Sequence, residues 1–416
     1  MSDPGAESVP LDPIQAQYER WVYPARVYDL AALQLTSPLL RYQDLRSLFW
    51  LFWPRGPVRE DLDILVAGCG SLSAAAQAFL YPRARVTGLD ISGASLEHAE
   101  FLKRKHNLSN LTLRQARVED AAALGGDFDV IVCYGVLQQL ADPAAGLRAL
   151  GRALRPDGVI DIMVYGKFGR LGVSVLQELF RVMGLEQDAA GVQVVRDTLA
   201  GLPPAHPVQN FRRVAAQELA NDEGLVDTFL TARDRTFTCT ECLDLVQEAG
   251  LVFQGWKENG LYHLETRLAP NDRLAPHLRA LGERQLWQAV EMLDASIGAH
   301  WFHACRLDRD KAIYKIAFDD DAFLDYIPVT RVSHTAAADR LRRQPAYVAR
   351  PPFPPMTLDV PQAATFKVID GTRSVRACLA AAGLGAEAPA DIAWARAFFG
   401  SLWRAGYALY RLPGGG

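Results

Sequence analysis

From Leu62 onward the chain alternates short, continuously apolar runs with longer amphipathic ones. The runs "LDILVAG", "RVTGLD", "LTLRQARV", "FDVIVCYG" and "VIDIMVY" predict strands. Between them lie the alanine-rich stretch Ser71 to Leu80, "SLEHAEFLKRKHN", "DAAAL" and "PAAGLRALGRAL", which predict helices. Strands apolar on both faces and separated by helices predict parallel pairing with crossover helices, a doubly wound α/β sheet.

The flanks have another texture. Ahead of the sheet, "QYERWVYPARVYDL" concentrates Tyr18, Trp21, Tyr23 and Tyr28 in an amphipathic segment that predicts a docking helix or a lid. Beyond Pro270, "RLAPHLRALGERQLWQAVEMLDASIG" has helical spacing, while "HWFHACRL" and "KAIYKIAF" predict two strands. A proline-rich connector, "YVARPPFPPMTLDVP", precedes a last unit predicted to hold a short strand at "TFKVI", a turn, two helices, a Gly406 suited to a helix end, and a closing strand. That last unit resembles a small winged-helix-like module. The expected division is 1–58, 59–268, 269–352 and 353–416.

Half of the 416 residues are apolar, more than one core ordinarily uses, so several domains are expected. A formal net charge of −4 gives no general case for nucleic acid or an anionic membrane. Arg331, Arg340, Arg342, Arg343 and Arg350 predict a basic but solvated connector. "LFWLFW" is far too short to span a bilayer, and "MSDPGAESVP" lacks a basic start with an apolar core. The expectation is a soluble, cytoplasmic protein with no metal site. Cys239 and Cys242 in "CTEC" fit a capped helix better than a ligand pair, and His300 and His303 fit a buried strand.

Chemistry concentrates in "ILVAGCGSLSAAAQAF". Gly68 and Gly70 follow the first strand, where a doubly wound sheet places its ligand and where missing Cβ atoms let backbone approach it closely. Ser73 stands where a dinucleotide loop carries its third glycine, which disfavours NAD. Asp90 ends the second strand, 22 residues after Gly68. It offers two oxygens to ribose hydroxyls, or alternatively caps the helix beginning near Ser92. These features fit S-adenosylmethionine, which has no phosphate to seat.

Together "LDILVAGCGSLSAAAQAF", "VTGLDISGASLEHAEFLKRKHNLSNLTL", "FDVIVCYGVLQQLADPAAGLRALGRALRPDGVIDIMVYGKFGR" and "HPVQNFRR…DTFLTARDRTFTCTECLDLVQEAGL" resemble the class I S-adenosylmethionine-dependent methyltransferases. The likeness is strongest to a bacterial subgroup with an N-terminal Tyr/Pro segment and a C-terminal extension, and it runs from about Tyr18 to Leu264. It implies a seven-stranded, mainly parallel Rossmann-like sheet with an N-terminal helical lid and an α+β extension. It further implies that Ala67, Gly68, Cys69 and Gly70 wrap the methionine moiety, Asp90 holds the ribose and Ile91 lies against the adenine. Val118 and Glu119 would meet the adenine edge, and Cys133 to Gly135 the methionine end.

The subgroup's His-His pair after "GVL" is replaced here by Gln138 and Gln139. Its His-Pro before the Asp-Arg pair is replaced by Thr231 and Ala232. The amides keep hydrogen-bonding capacity but lose the imidazole proton acceptor, which favours acceptors that are already ionised, or catalysis by orientation alone. Gln138, Gln139 and Tyr165 are the candidate catalytic residues, and Tyr18, Tyr23, Tyr28 and Arg235 the candidate substrate contacts. Methyl transfer to a small-molecule or peptide acceptor in a bacterial biosynthetic pathway is expected. The C-terminal module would serve docking or homodimer formation, with no nucleic acid partner. The alternative is a regulatory protein that keeps the fold and the cofactor without turnover.

Overall fold

The structure, a computed structural model, describes residues 11–36, 43–264, 273–332, 334–336, 346–351 and 353–414. Seven strands form the main sheet: β1 Asp63–Ala67, β2 Arg85–Asp90, β3 Leu111–Gln115, β4 Phe128–Tyr134, β5 Leu154–Tyr165, β6 Leu251–Trp256 and β7 Ala299–Arg306. Their order is β3-β2-β1-β4-β5-β7-β6. The pairs β1–β2, β2–β3, β1–β4 and β4–β5 are parallel, as the apolar runs predict. Ile64, Leu65, Val130, Ile131, Ile160 and Ile162 have no exposed surface. Truncating such a buried aliphatic side chain to alanine ordinarily costs about 2–5 kcal/mol.

The order reverses beside β1, so the carboxyl ends of β1 and β4 open a crevice at the switch point. The helix Ser73–Leu80 leaves that end tightly packed on β2, since a Cβ on Gly88 would stand 2.6 Å from the Cβ of Ala74. The chain divides into two compact units, 1–42 with 60–252 and 296–300, and 43–59 with 253–295 and 301–416.

In the first unit the alternation gives way after β5 to four helices, Leu171–Val182, Ala189–Gly201, Val208–Val214 and Asp222–Phe229. They share a small core around Phe180, Val195 and Phe229. The "CTEC" segment is the helix Cys239–Glu248, started by a reciprocal capping box between Thr238 and Glu241, with both thiols buried.

The second unit is α+β. Strand β8 Ile327–Thr330 pairs antiparallel with β12 Ala408–Arg411, and β10 Ala346–Ala349 lies between β9 His334–Ala336 and β11 Met356–Leu358. Three sequence expectations need correction here. "TFKVI" is not a strand: Asp359 and Gln362 form a capping box and Pro361 sits in the first turn, so a helix covers Val360–Lys367. "KAIYKIAF" is not a strand either, because the Asp310 carboxylate accepts from the Ala312 N–H and sets a single 3₁₀ turn at Lys311–Ile313.

The basic connector is the third correction. Arg331 and Arg350 are not solvated: both pair with the buried carboxylate of Glu258, at 3.2 and 2.6 Å. Arg340, Arg342 and Arg343 lie outside the described residues. Among the described residues, no helix is long and apolar enough to cross a membrane.

Candidate active site

Gly68 and Gly70 close the turn after β1 with φ of +68° and +52°, conformations that side chains with a Cβ resist. Space forbids a side chain as well. A Cβ on Gly68 would stand 2.2 Å from Val136, and one on Gly70 2.7 Å from the Tyr23 carbonyl oxygen. Asp90, at the end of β2, accepts from the Gly70 N–H at 2.7 Å through Oδ2 and from the Ser92 N–H at 2.9 Å through Oδ1. Each oxygen thus keeps a lone pair in hand, and both readings of Asp90 coexist in one side chain. Burial raises its carboxyl above the ordinary range.

Ala67 and Cys69 are buried beside the turn, Ile91 is half-buried, and Val118 is buried at the start of a 3₁₀ turn. Glu119 instead reaches Arg117 at 3.5 Å. Gly135 follows β4 with φ +72°. Burial pushes the Cys69 thiol well up and that of Cys133 up to about 12, so both stay protonated and take no part as nucleophiles.

The aromatic N-terminal segment lies across this crevice. Ser71 Oγ donates to the Pro24 carbonyl at 2.8 Å and Ser92 Oγ to the Tyr18 carbonyl at 3.2 Å. The Glu19 carboxylate accepts from the N–H groups of Gly93 and Ala94, at 2.6 and 3.0 Å, where the helix Gly93–Lys105 begins and a negative charge is favoured. Tyr28 is an exception among its aromatics. It is 59% exposed, with its ring edge-on to His98, and lies away from the crevice.

The N-terminal segment carries Tyr18 and Tyr23 into a largely buried polar cluster. The Tyr18 hydroxyl donates to Asp227 Oδ1 at 2.6 Å and accepts from Gln139 Nε2 at 2.7 Å, while Tyr23 donates to Glu218 Oε1 at 2.9 Å. The Arg170 guanidinium stacks 3.6 Å from the Tyr165 ring centre and lies 3.8 Å from Asp234. Gln138 and Gln139 neither cap the next helix nor face solvent: Asp142 caps it, and both amides are buried. Gln138 is fully buried and, among the described residues, neither amide atom has a hydrogen-bond partner; Nε2 lies 3.6 Å from where a Cβ of Gly135 would stand.

Arg235 does not join the cluster. It is exposed, and its neighbours Arg233 and Asp234 turn inward instead, Arg233 donating to the Gln139 carbonyl at 3.0 Å.

Burial raises Asp227 to about 7, assisted by the nearby charges of Glu218 and Asp234, although the Tyr18 hydrogen bond and Arg170 oppose it. Burial likewise pushes Tyr18, Tyr23 and Tyr165 well above the phenol range, with Asp227 adding to each, and raises Asp234. Asp227, Glu218 and Asp234 are the members that sequence reasoning missed. The available signal was a charge in the otherwise apolar "LVDTFL".

A family model described as a methyltransferase domain matches residues 59–194. An uncharacterized protein of Synechococcus sp. is 29% identical over 249 residues, 58% of this chain and 60% of that one. A ubiquinone biosynthesis O-methyltransferase of Neisseria meningitidis is 34% identical over 98 residues, 23% of this chain and 41% of that enzyme. The chain therefore spans roughly half the length of these relatives. Among solved structures, PKMT2 from Rickettsia typhi covers 94% of this chain and 77% of its own with a TM-score of 0.58 at 18% identity, a likeness of fold. It is also known in complex with AdoHcy, with the same TM-score and identity.

Proposed function

Because residues 59–194 are a class I S-adenosylmethionine-dependent methyltransferase domain, we propose that the chain transfers a methyl group from that cofactor to a small-molecule or peptide acceptor held beneath its N-terminal segment. The observation that carries this is the pairing of the bare-backbone turn at Gly68 and Gly70 with Asp90 across the switch point. The residues present fit the cofactor. Asp90 keeps one lone pair on each oxygen for the ribose hydroxyls, and Gly135 leaves an approach beside the unpartnered amide of Gln138.

In this reading Ala67, Gly68, Cys69 and Gly70 wrap the methionine portion, with Cys133 and Gly135 at its far end. Ile91, Val118 and Glu119 border the adenine. Bound there, the cofactor supplies a methyl group on a sulfonium. The chain's own task is to hold donor and acceptor a little over 3 Å apart and in line, an arrangement that lowers the barrier without covalent help. Gln138, Gln139 and Tyr165 orient the acceptor, while Tyr18 and Tyr23 close over it and exclude water.

Titration calorimetry with S-adenosylmethionine tests the premise. Asp90→Ala is expected to weaken binding at least tenfold, the loss of about one charge-assisted hydrogen bond. Unchanged affinity in a folded variant removes Asp90 from the site. Tight binding with no methyl transfer to any offered acceptor would favour the regulatory reading instead.

A further inference from the structure

Independently of the methyl-transfer reading, we propose that the protein pairs with a second copy of itself through the outer face of the helix Leu171–Val182, the two helices running antiparallel about a two-fold axis level with Gln177. The helix is apolar on two faces. Val173, Leu176 and Phe180, spaced three and four apart, are buried in the core shared with Val195, Leu225 and Phe229. Leu171, Val175, Leu179 and Val182, with Met183 just after the helix, are apolar as well, yet they are 42–77% exposed. A single exposed leucine is ordinary, whereas five such residues in one stripe mark a surface that another surface covers. A helix apolar round most of its girth is ordinarily buried on every such side.

Spacing selects the occupant. Leu171, Val175, Leu179 and Met183 recur at every fourth residue and so form one ridge, of the kind that packed helices interdigitate. The ridge matches itself when reversed: turned end for end about Gln177, Leu171 meets Met183 and Val175 meets Leu179. A two-fold interface requires such self-complementarity, because the same patch serves both copies. Charge agrees. The acid and base flanking the ridge, Glu178 and Arg181, form an ion pair within the helix, so two copies meet without like-charge repulsion and a charged partner gains nothing. Area agrees too. The five side chains present roughly 500 Å² of apolar surface, at the upper end of what a monomer leaves as one patch. Matched against a copy they remove about 1,000 Å² from water, the least that a specific interface uses, before the polar rim is counted.

The pairing bears on the buried polar cluster, because the inner side of the same helix supports it. Gln177 Nε2 donates to the Thr228 carbonyl at 2.8 Å and to Asp234 Oδ2 at 3.0 Å, and the Phe180 ring stands edge-on to Phe229, two residues beyond Asp227. A partner helix on the outer side braces the element that positions Asp227 and Asp234. This surface is not the C-terminal module, where residue pattern alone places docking.

Sedimentation velocity on the full-length chain, over a hundredfold dilution series in the micromolar range, is the test. The wild type is expected to sediment at twice the mass of one chain at the concentrated end. Val175→Glu is expected to weaken the dimer at least tenfold, and adding Leu179→Lys to the same chain to restore part of that loss, since the two positions face each other across the axis. Both residues are exposed, so each variant should melt like the wild type, which circular dichroism checks. Oxidising an equimolar mixture of Leu171→Cys and Met183→Cys chains should trap a disulfide between copies, the native thiols all being buried. A wild type that stays monomeric throughout overturns the proposal, as does a dimer unaffected by Val175→Glu, which would place the contact elsewhere. A monomer that floats with phosphatidylcholine vesicles also overturns it and gives the stripe to a lipid surface. A dimer that Val175→Glu breaks, but that neither Leu179→Lys restores nor the cysteine pair traps, overturns the antiparallel arrangement. None of these readouts depends on cofactor binding, so their failure is distinct from failure of the methyltransferase reading.

Discussion

Each unit of this protein buries a carboxylate, and the two are treated in opposite ways. In the second unit Glu258 takes Arg350 on both oxygens, each at 2.6 Å, and Arg331 at 3.2 Å. Burial pushes its carboxyl up, but the two guanidinium groups outweigh that and hold it below the ordinary range. In the first unit Asp227 is as deeply buried, yet it receives one phenol hydrogen bond and sits among other acids, so it rises to about 7. A satisfied buried charge fixes a fold. Perturbed buried groups of the second kind cluster at functional sites.

The largest expected effect breaks the satisfied partner. Glu258→Gln leaves two arginines without their counter-charge and is expected to cost on the order of 3 kcal/mol, read by urea denaturation. A loss below about 1 kcal/mol would erase the distinction drawn here.

Next comes Asp227→Asn, whose sign is opposite. The native carboxyl releases its proton near 7 and the unfolded one near 4, so wild-type stability declines as pH rises from about 4 to 7 and the penalty is complete above that. The variant is expected to melt several degrees above the wild type at pH 8, with a smaller gap at pH 5. A melting temperature lowered at pH 8 would show Asp227 to be structural.

The smallest effect is Gln138→Leu. No hydrogen bond is lost in the protein alone, so stability is expected to stay within about 1 kcal/mol, read by urea denaturation. A large destabilisation would mean that the amide is holding the fold.

Much of this was legible beforehand. The parallel sheet, the glycine turn, Asp90 and the capped "CTEC" helix all rest on local pattern: apolar runs apolar on both faces, residues without Cβ at a turn, a Thr-x-x-Glu box. The strand expected at "TFKVI" failed because apolar alternation over five residues is weaker than a capping box with proline in the first turn. Glu218 and Asp234 were not legible, because each sits in a polar-looking stretch; Asp227 stood out only as a charge in the apolar "LVDTFL", and its partners come from distant chain segments.

The sequence by itself determined the sheet, the cofactor crevice at its switch point and the loss of the imidazole pair, since strand period, backbone sterics and residue type act over a few neighbours. Only the tertiary structure decided which side chains meet in the buried polar cluster. Tyr18 meets Asp227 across 209 positions of chain and Tyr23 meets Glu218 across 195, contacts made when the N-terminal segment and the helices after β5 pack in one unit. The same packing removes water from Asp227 and thereby sets its affinity for protons, a property no residue carries alone.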